Sequence, residues 1–336
     1  MFRIVRNKNI IAAVNDINDD LIQIRRWSQQ WLVEVSTDKS VSMIISKKPV
    51  PSQPIPIMYG NIALQHVTHH KHLGVWFDSK LSWSYHIDQV CASASKRLNM
   101  MLPLKHKLPR SALENIYMSF VRPLIEYADV IFDNCTIRAK TQLENIQIRG
   151  AQIVTGAKRH TSHTYLYRET GWSTLTQRRL IHKLKLLHQI IHGSVPDYLT
   201  HLLPTIQNVR VTRQANNNTI QQFRSKTDYF QKSFFPSTIN IWNNSLNFNT
   251  RKLVIISTFK RTISRQFMTQ PLTQQQRTIR YSGPRTMQIT MAQMRMGFSN
   301  LNHDLYQKNC VDSPVCHCAQ SNEDLTHYFM SCTSYT

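Results

Sequence analysis

The spacing of apolar residues changes along the chain, and each change marks a boundary. From residue 8 to residue 31 it is helical: Ile10, Val14, Ile17, Leu21, Ile24 and Trp31 recur at steps of three, four and seven. Alternation follows. Leu32-Val33-Glu34-Val35 and Val41-Ser42-Met43-Ile44-Ile45 read as short strands, with Asp38-Lys39 between them as in a hairpin. Lys47 to Pro56 holds four prolines and reads as a loop. Ile57-Met58-Tyr59 and Ile62-Ala63-Leu64 flank Gly60-Asn61, which predicts a second hairpin. Leu73-Gly74-Val75-Trp76-Phe77 is a further β-type run that stops at Asp78, and a helical pattern starts about six residues later. A glycine inside such a run, here Gly74, marks a bulge or the close approach of another backbone.

From Trp83 the period is helical again. Ile87, Val90, Cys91, Ala94, Leu98 and Met101 form one stripe, ended by Pro103. Leu113, Ile116, Tyr117, Phe120, Leu124 and Tyr127 form another, which Pro123 is expected to kink or divide. Leu143, Ile146, Gly150, Ile153 and Val154 make a third, with Gly156 as the stop, and 175–191 a fourth, stopped by Gly193. Such stripes pack on one another, so this half reads as a helical bundle. Periodicity weakens after about Pro204. Residues 205–300, with the polar tracts Asn216-Asn217-Asn218 and Gln274-Gln275-Gln276, read as loops, short helices and irregular chain. There is no internal repeat. The predicted fold class is α+β, mostly α, with a basic irregular C-terminal region.

Charge changes this picture from scaffold to binder. Lys and Arg number 41 against 19 acids, a net charge of +22, and the pI is about 10.0. So large an excess predicts a polyanionic partner, most simply nucleic acid. No stretch approaches the ~18 consecutive apolar residues of a spanning helix. Met1-Phe2-Arg3-Ile4-Val5-Arg6 has charge but no apolar signal core, which predicts a nuclear or cytoplasmic protein rather than a secreted one. Between 205 and 300 fourteen Lys/Arg stand against one acid, Asp228. Phe223, Tyr229, Phe230, Phe234, Phe235 and Trp242 are interleaved with them, a mixture suited to single-stranded RNA or DNA. On the 175–191 helix, Arg178, His182 and Lys185 share one side, with Arg179 and Lys183 beside them. That face is either simply solvated or in contact with phosphates.

Six cysteines are present and four follow position 309, which suits metal binding better than a disulfide framework. Cys316, Cys318, His327 and Cys332 supply three thiolates and an imidazole, enough for tetrahedral zinc, and Cys310 is a possible substitute. The competing reading is free buried thiols. His69, His70 and His72 alternate in a strand without a Cys or carboxylate close by, so a ligand role is not expected of them.

In order, these motifs resemble the reverse transcriptases of non-LTR retrotransposons, the jockey-like group in particular. Asn18, Asp20, Leu21, Ile24, Trp27 and Trp31 match the helix that follows the family's YADD loop, and Val33, Val35 and Lys39 its next strand and lysine. Lys71-His72-Leu73-Gly74-Val75 and Leu81-Ser82-Trp83 with His86 match the K-H-L-G-V and L-S-W-x-x-H signature. Ile116-Tyr117 and Arg122-Pro123-Leu124-Ile125-Glu126-Tyr127 resemble the I-Y-x-S-x-x-R-P-x-x-E-Y segment. Thr155-Gly156, Leu175, Arg178-Arg179, Ser233-Phe234, Pro236 and Trp242-Asn243 continue the match, and Asp312-Ser313-Pro314 fits the lead-in to a terminal Cys/His cluster. The resemblance implies a late palm with a primer-grip hairpin over 1–82, a thumb bundle over 83–204, a basic connector over 205–300 and a zinc-knuckle-like tail over 301–336. It assigns Leu73, Gly74 and Val75 to the primer grip, where a residue without Cβ lets the primer strand approach. It makes Lys39 a candidate general acid towards pyrophosphate, against the plainer reading of an exposed turn lysine. Trp76 and Trp83 are candidates for stacking on a sugar or base, with burial the better expectation.

Two-metal polymerisation needs converging carboxylates that hold Mg²⁺. In the family these precede the stretch matched here, so the chain alone is expected to bind template and primer, RNA and DNA, without extending them. Asp19-Asp20 falls within a helical period, and Tyr127-Ala128-Asp129 copies three letters of YADD inside the R-P-x-x-E-Y segment; neither is expected to bind catalytic metal. A non-catalytic RNA or single-strand-binding module is the alternative, and a helical scaffold for acidic proteins a third.

Overall fold

The computed structural model describes residues 10–47, 56–204 and 218–334. Most of the proline loop and Asn216-Asn217 lie outside them. Of the described residues, 56% are helical and 6% lie in strands. It divides into two compact units, Met1–Asp88 and Gln89–Thr336, considered separately below.

In the first unit the helical period yields α1 (Ile10–Gln30), with Val14 and Ser28 buried. Ile24 and Trp31 of its stripe are exposed, as is Trp27. The Gly60 hairpin forms as expected: β2 (Met58–Tyr59) pairs antiparallel with β3 (Ile62–Ala63), following β1 (Val41–Ser42) in the chain. Asn18 Oδ1 accepts from the Met58 amide at 2.9 Å, and the Ser28 and Tyr59 hydroxyls lie 3.1 Å apart, so α1 carries this hairpin. The expected hairpin across Asp38-Lys39 does not form. β1 pairs parallel with β4 (Gln65–His66) instead, and 33–36 joins no ladder. Alternation specifies which face a strand presents but not which partner it finds.

β5 (His69–His72) and β6 (Val75–Asp78) form an antiparallel hairpin. Leu73 and Gly74 are its two-residue turn, with φ of 46° and 85°. This corrects the reading of Gly74 as a bulge inside a strand. Positive φ at both central residues matches the twist of the flanking strands, and glycine tolerates it best. The chain enters the second unit within α2 (Ser84–Met101).

In the second unit Ala94, Leu98 and Met101 of α2 are buried. α3 (Arg110–Ile116) continues through a π-turn, Tyr117–Val121, into α4 (Arg122–Glu126). Pro123 has no N–H to return to the preceding turn, and the helix widens there rather than breaking. α5 (Ile137–Thr155) starts at a Thr136 cap and stops at Gly156, φ 78°. α6 (His163–Thr170) precedes α7 (Leu175–Ile191), which opens with a Thr174/Gln177 capping box.

From residue 218 on, the chain is more ordered than its periodicity predicts. Beyond α8 (Asp197–Thr200) come α9 (Asp228–Gln231), α10 (Phe234–Ser245), α11 (Phe248–Arg251), α12 (Ile256–Phe267), α13 (Gln274–Tyr281) and α14 (Arg285–Arg295). Ile239, Trp242, Leu246, Phe259 and Ile263 form one core with Ile181, Leu184 and Leu187 of α7. Each short helix contributes too few apolar anchors for its period to stand out. Trp242, one of the rings expected to meet bases, is 1% exposed, and its Nε1 donates to the Asn218 carbonyl at 3.1 Å. Two small helices close the chain, α15 (Asn302–Tyr306) and α16 (Leu325–Met330).

Candidate functional site

The tail assembles the predicted ligand set. Cys316, Cys318 and the bridge between Val315 and Asn322 lie on the turn before α16; His327 is on that helix and Cys332 just after it. Their ligand atoms all lie within 4.8 Å of one another. Cys316 Sγ is 3.5 Å from Cys332 Sγ, and Cys318 Sγ is 3.0 Å from His327 Nε2. A tetrahedron of Zn–S bonds near 2.3 Å has edges of about 3.8 Å, so these spacings fit zinc. Cys310 is exposed and stands outside the group. The Cys318 amide favours the Cys316 thiolate, but burial and the neighbouring sulfurs outweigh it and push the thiol up. A divalent cation relieves that crowding of thiolates. Surrounding bonds hold the frame. Asp324 Oδ1 accepts from the His327 amide at 2.8 Å, and the buried Glu323 accepts from the Asn302 amide at 2.8 Å.

The basic side of α7 is placed differently from a solvated face. Arg178 forms a two-bond pair with Glu126. Lys183 Nζ lies 2.9 Å from Asp133 Oδ2 and 2.8 Å from the Ser237 hydroxyl. Arg179 reaches the same carboxylate at 3.4 Å and is 3% exposed. Burial pushes the Asp133 carboxyl up, but Lys183 and Lys140 outweigh it and hold it below the usual range. His182 Nδ1 sits 2.7 Å from Asp129. Lys185 is half-buried. The acids come from the end of α4 and the turn after it, some fifty residues upstream, a distance no local pattern reveals. Asp129 is therefore the buried partner of a histidine, and Ala128 before it has φ 56°.

Several arginines of the basic C-terminal region are also used internally. Arg251 Nη1 donates to the Asn243 carbonyl at 2.7 Å, in the last turn of α10. Arg280 donates to the carbonyls of Arg168 and Glu169, in the last turn of α6. Arg285 donates to Ile153 and Lys105. Cations at helix C-termini satisfy the free carbonyls there and oppose the negative end of the dipole.

In the first unit, Asp78 organises the turn into α2. Its carboxylate accepts from the amides of Lys80, Ser82 and Trp83 at 2.9–3.0 Å and from the Ser82 hydroxyl at 3.1 Å. Burial pushes this carboxyl up, but the bonds from Ser82, Lys80 and Trp83 outweigh it, and its pKa is lowered. Trp83 is buried edge-on against Phe77. Trp76 is half-buried against Tyr85, with the Lys71 ammonium 5.9 Å from its ring, and its amide donates to His86 Nδ1 at 3.3 Å. Val75 is buried and Leu73 projects outward. Lys39 is exposed, in the turn where the Ser40 amide meets the Thr37 carbonyl at 3.1 Å. Asp19 and Asp20 lie on α1.

Similarity to known proteins bears on this arrangement. The RNA-directed DNA polymerase from mobile element jockey of Drosophila melanogaster is 26% identical over 152 residues, 44% of this chain and 16% of that protein. The chain is related to jockey-like reverse transcriptases. Probable RNA-directed DNA polymerases from transposon BS and transposon X-element, also of Drosophila melanogaster, are 22% and 23% identical. They align with 49% and 48% of this chain. The matched segment is 19% of the BS protein and 18% of the X-element protein, so the chain corresponds to a small part of its jockey-like relatives. No family model and no solved structure matches it. No helix among the described residues is long and apolar enough to cross a membrane.

Proposed function

We propose that this chain is a template- and primer-holding part of a non-LTR reverse transcriptase, without the polymerase carboxylates. The similarity to RNA-directed DNA polymerases of jockey, BS and X-element carries the reading. The net charge of +22 supports RNA and DNA as partners. In this reading the Leu73-Gly74 turn is the primer-grip loop, Lys39 faces the departing pyrophosphate in the assembled polymerase, and the helices within 83–204 are the thumb. Cys316, Cys318, His327 and Cys332 hold a structural zinc, which staples a tail too small to build its own core. Mg²⁺ belongs with carboxylates elsewhere in the polymerase. Among the described residues the group that could hold a metal is the tail cluster, while Asp129 is engaged by His182 and Asp19-Asp20 lie on a helix.

The test is primer extension on an RNA template with Mg²⁺, run beside a binding assay on the same template and primer. Binding without nucleotide incorporation is expected. Incorporation would refute the absence of a polymerase centre, and no binding in low salt would refute the holding role.

A further inference from the structure

The sequence left the basic face of α7 either solvated or in contact with phosphates, but four of its five basic residues, Arg178, Arg179, His182 and Lys183, meet Glu126, Asp129 and Asp133. The excess charge must therefore act from elsewhere. We propose that the outward face of α12 is a docking stripe for a polynucleotide backbone, a refinement that rests on the nucleic-acid reading above.

α12 has two unlike sides. Phe259 and Ile263 are fully buried in the core shared with α7. Lys260, Arg261 and Arg265 are exposed. Ser257, Lys260, Arg261, Ser264 and Arg265 follow one another at helical spacing, so they share a face. From Arg261 to Arg265 the rise is about 6 Å and the two are neighbours on one side, while Lys260 stands about 100° around the helix from Arg261, so the three cations cover one broad face. Lys252, just before this helix, is also exposed, with its ammonium 4.3 Å from the Phe248 ring.

No acid accompanies this stripe in the sequence. The sequence holds no Asp or Glu from 229 to 303. Among the described residues, the ion pairs of Lys and Arg in this unit go to Glu126, Asp133, Glu169 and Asp228, and none engages Lys252, Lys260, Arg261 or Arg265. Arg251, Arg280 and Arg285 are occupied at helix ends. A row of like charges without acids between them maintains a positive potential that a strand of phosphates neutralises, releasing its counterions. An anionic lipid surface is the poorer match. The helices that lie on membranes bury their apolar face in the bilayer, and the apolar face of α12 is already spent on the core.

The experiment compares wild type with a Lys260→Gln, Arg261→Gln, Arg265→Gln variant; glutamine keeps the helix propensity. A control variant, Arg25→Gln, Arg26→Gln, Lys308→Gln, removes equal charge from exposed positions outside the thumb and connector. Binding of a labelled oligo-uridine is titrated across salt concentrations. The α12 variant should lose at least about tenfold in affinity at low salt, and its slope of log affinity on log salt should flatten by about 2. The control should stay within about threefold of wild type. Equal losses in both variants, or none in the α12 variant while wild type binds, would overturn the stripe and leave the holding role intact. Failure of wild type to bind would overturn both. Preferential binding to phosphatidylserine vesicles, lost in the α12 variant, would also overturn it. Single substitutions, each expected to flatten the slope by about 0.7, keep the test open if the triple variant loses helix content.

Discussion

Arg110 and Glu169 meet inside the helical unit, 2.6 Å apart, with side chains 0% and 3% exposed. Arg295 adds two bonds to the same carboxylate at 2.8 and 2.9 Å, and the Arg280 guanidinium lies 3.6 Å away. One acid thus anchors cations from α3, α13 and α14. Glu169→Gln leaves the buried Arg110 without its counter-charge and should cost about 3–5 kcal/mol in urea unfolding. Burial pushes the Glu169 carboxyl up, but Arg295 and Arg110 outweigh it, so its pKa is lowered. A lowered folded pKa means that its stabilisation is complete above the unfolded value near ~4.3 and lost as pH falls through the folded one. Wild type should therefore lose stability below about pH 4 more steeply than Glu169→Gln.

Asp78 gives a second, local prediction. Its carboxylate collects three amides and a hydroxyl within five residues, and Leu81 and Trp83 both take positive φ around it. Asp78→Ala removes every one of these acceptors and should destabilise the turn by about 2–3 kcal/mol. Hydrogen exchange at the Lys80, Ser82 and Trp83 amides should then accelerate, with Asp78→Asn intermediate. Because the folded pKa is lowered, the same amides should lose protection in wild type as pH falls through the acid range.

What the sequence revealed depended on how local each determinant is. α1, the Gly156 stop and the Gly60 hairpin follow from caps, turns and period within a few residues. The tail cluster was legible for the same reason, since its ligands span 316 to 332. The parallel pairing of Val41 with Gln65 was not, because nothing in either run names the other. Nor was the neutralised face of α7: Lys183 and Asp133 are fifty positions apart, and only packing joins them. The short helices after residue 218 are expected from the sequence, but the core that joins them is not legible, because α7 supplies much of it. Gly74 sits in a turn rather than a strand interior, because Leu73-Gly74-Val75-Trp76-Phe77 reads as one continuous β run although the strand begins only at Val75.

That turn is open to test through its two residues. Leu73 is a γ-branched side chain held at φ 46°, a region that asparagine tolerates better. Leu73→Asn should raise the stability of the first unit by a few tenths of a kcal/mol, whereas Gly74→Ala, at φ 85°, should lower it by about 1 kcal/mol. Thermal unfolding of the two variants, followed by Trp fluorescence, checks the opposite signs. In a polymerase containing this hairpin, Leu73→Asn should reduce primer use if the Leu73 side chain, exposed at 78%, touches the primer. Unchanged extension with raised stability would confine the residue to the turn.

The tail cluster separates a metal staple from a set of buried thiols. If Cys316, Cys318, His327 and Cys332 bind zinc, the purified chain should carry about one equivalent of metal. Cys316→Ser or His327→Ala should reduce it to a small fraction. Cobalt substitution should give the intense thiolate-to-cobalt bands of a tetrahedral site, weakened in Cys332→Ser and unchanged in Cys310→Ser, since Cys310 stands outside the group. Chelation should increase exchange over 312–332 while leaving the Trp242–Phe259 core protected, because that core is built from α7, α10 and α12. Buried thiols without a metal predict another pattern: no bound equivalent, no cobalt bands, and a Cys316→Ser variant whose exchange differs little from wild type. The tail also holds four acids, Asp304, Asp312, Glu323 and Asp324, against the single cation Lys308. If it serves mainly to close the fold, His327→Ala should leave oligo-uridine binding within about threefold of wild type, while neutralising Lys260, Arg261 and Arg265 should not.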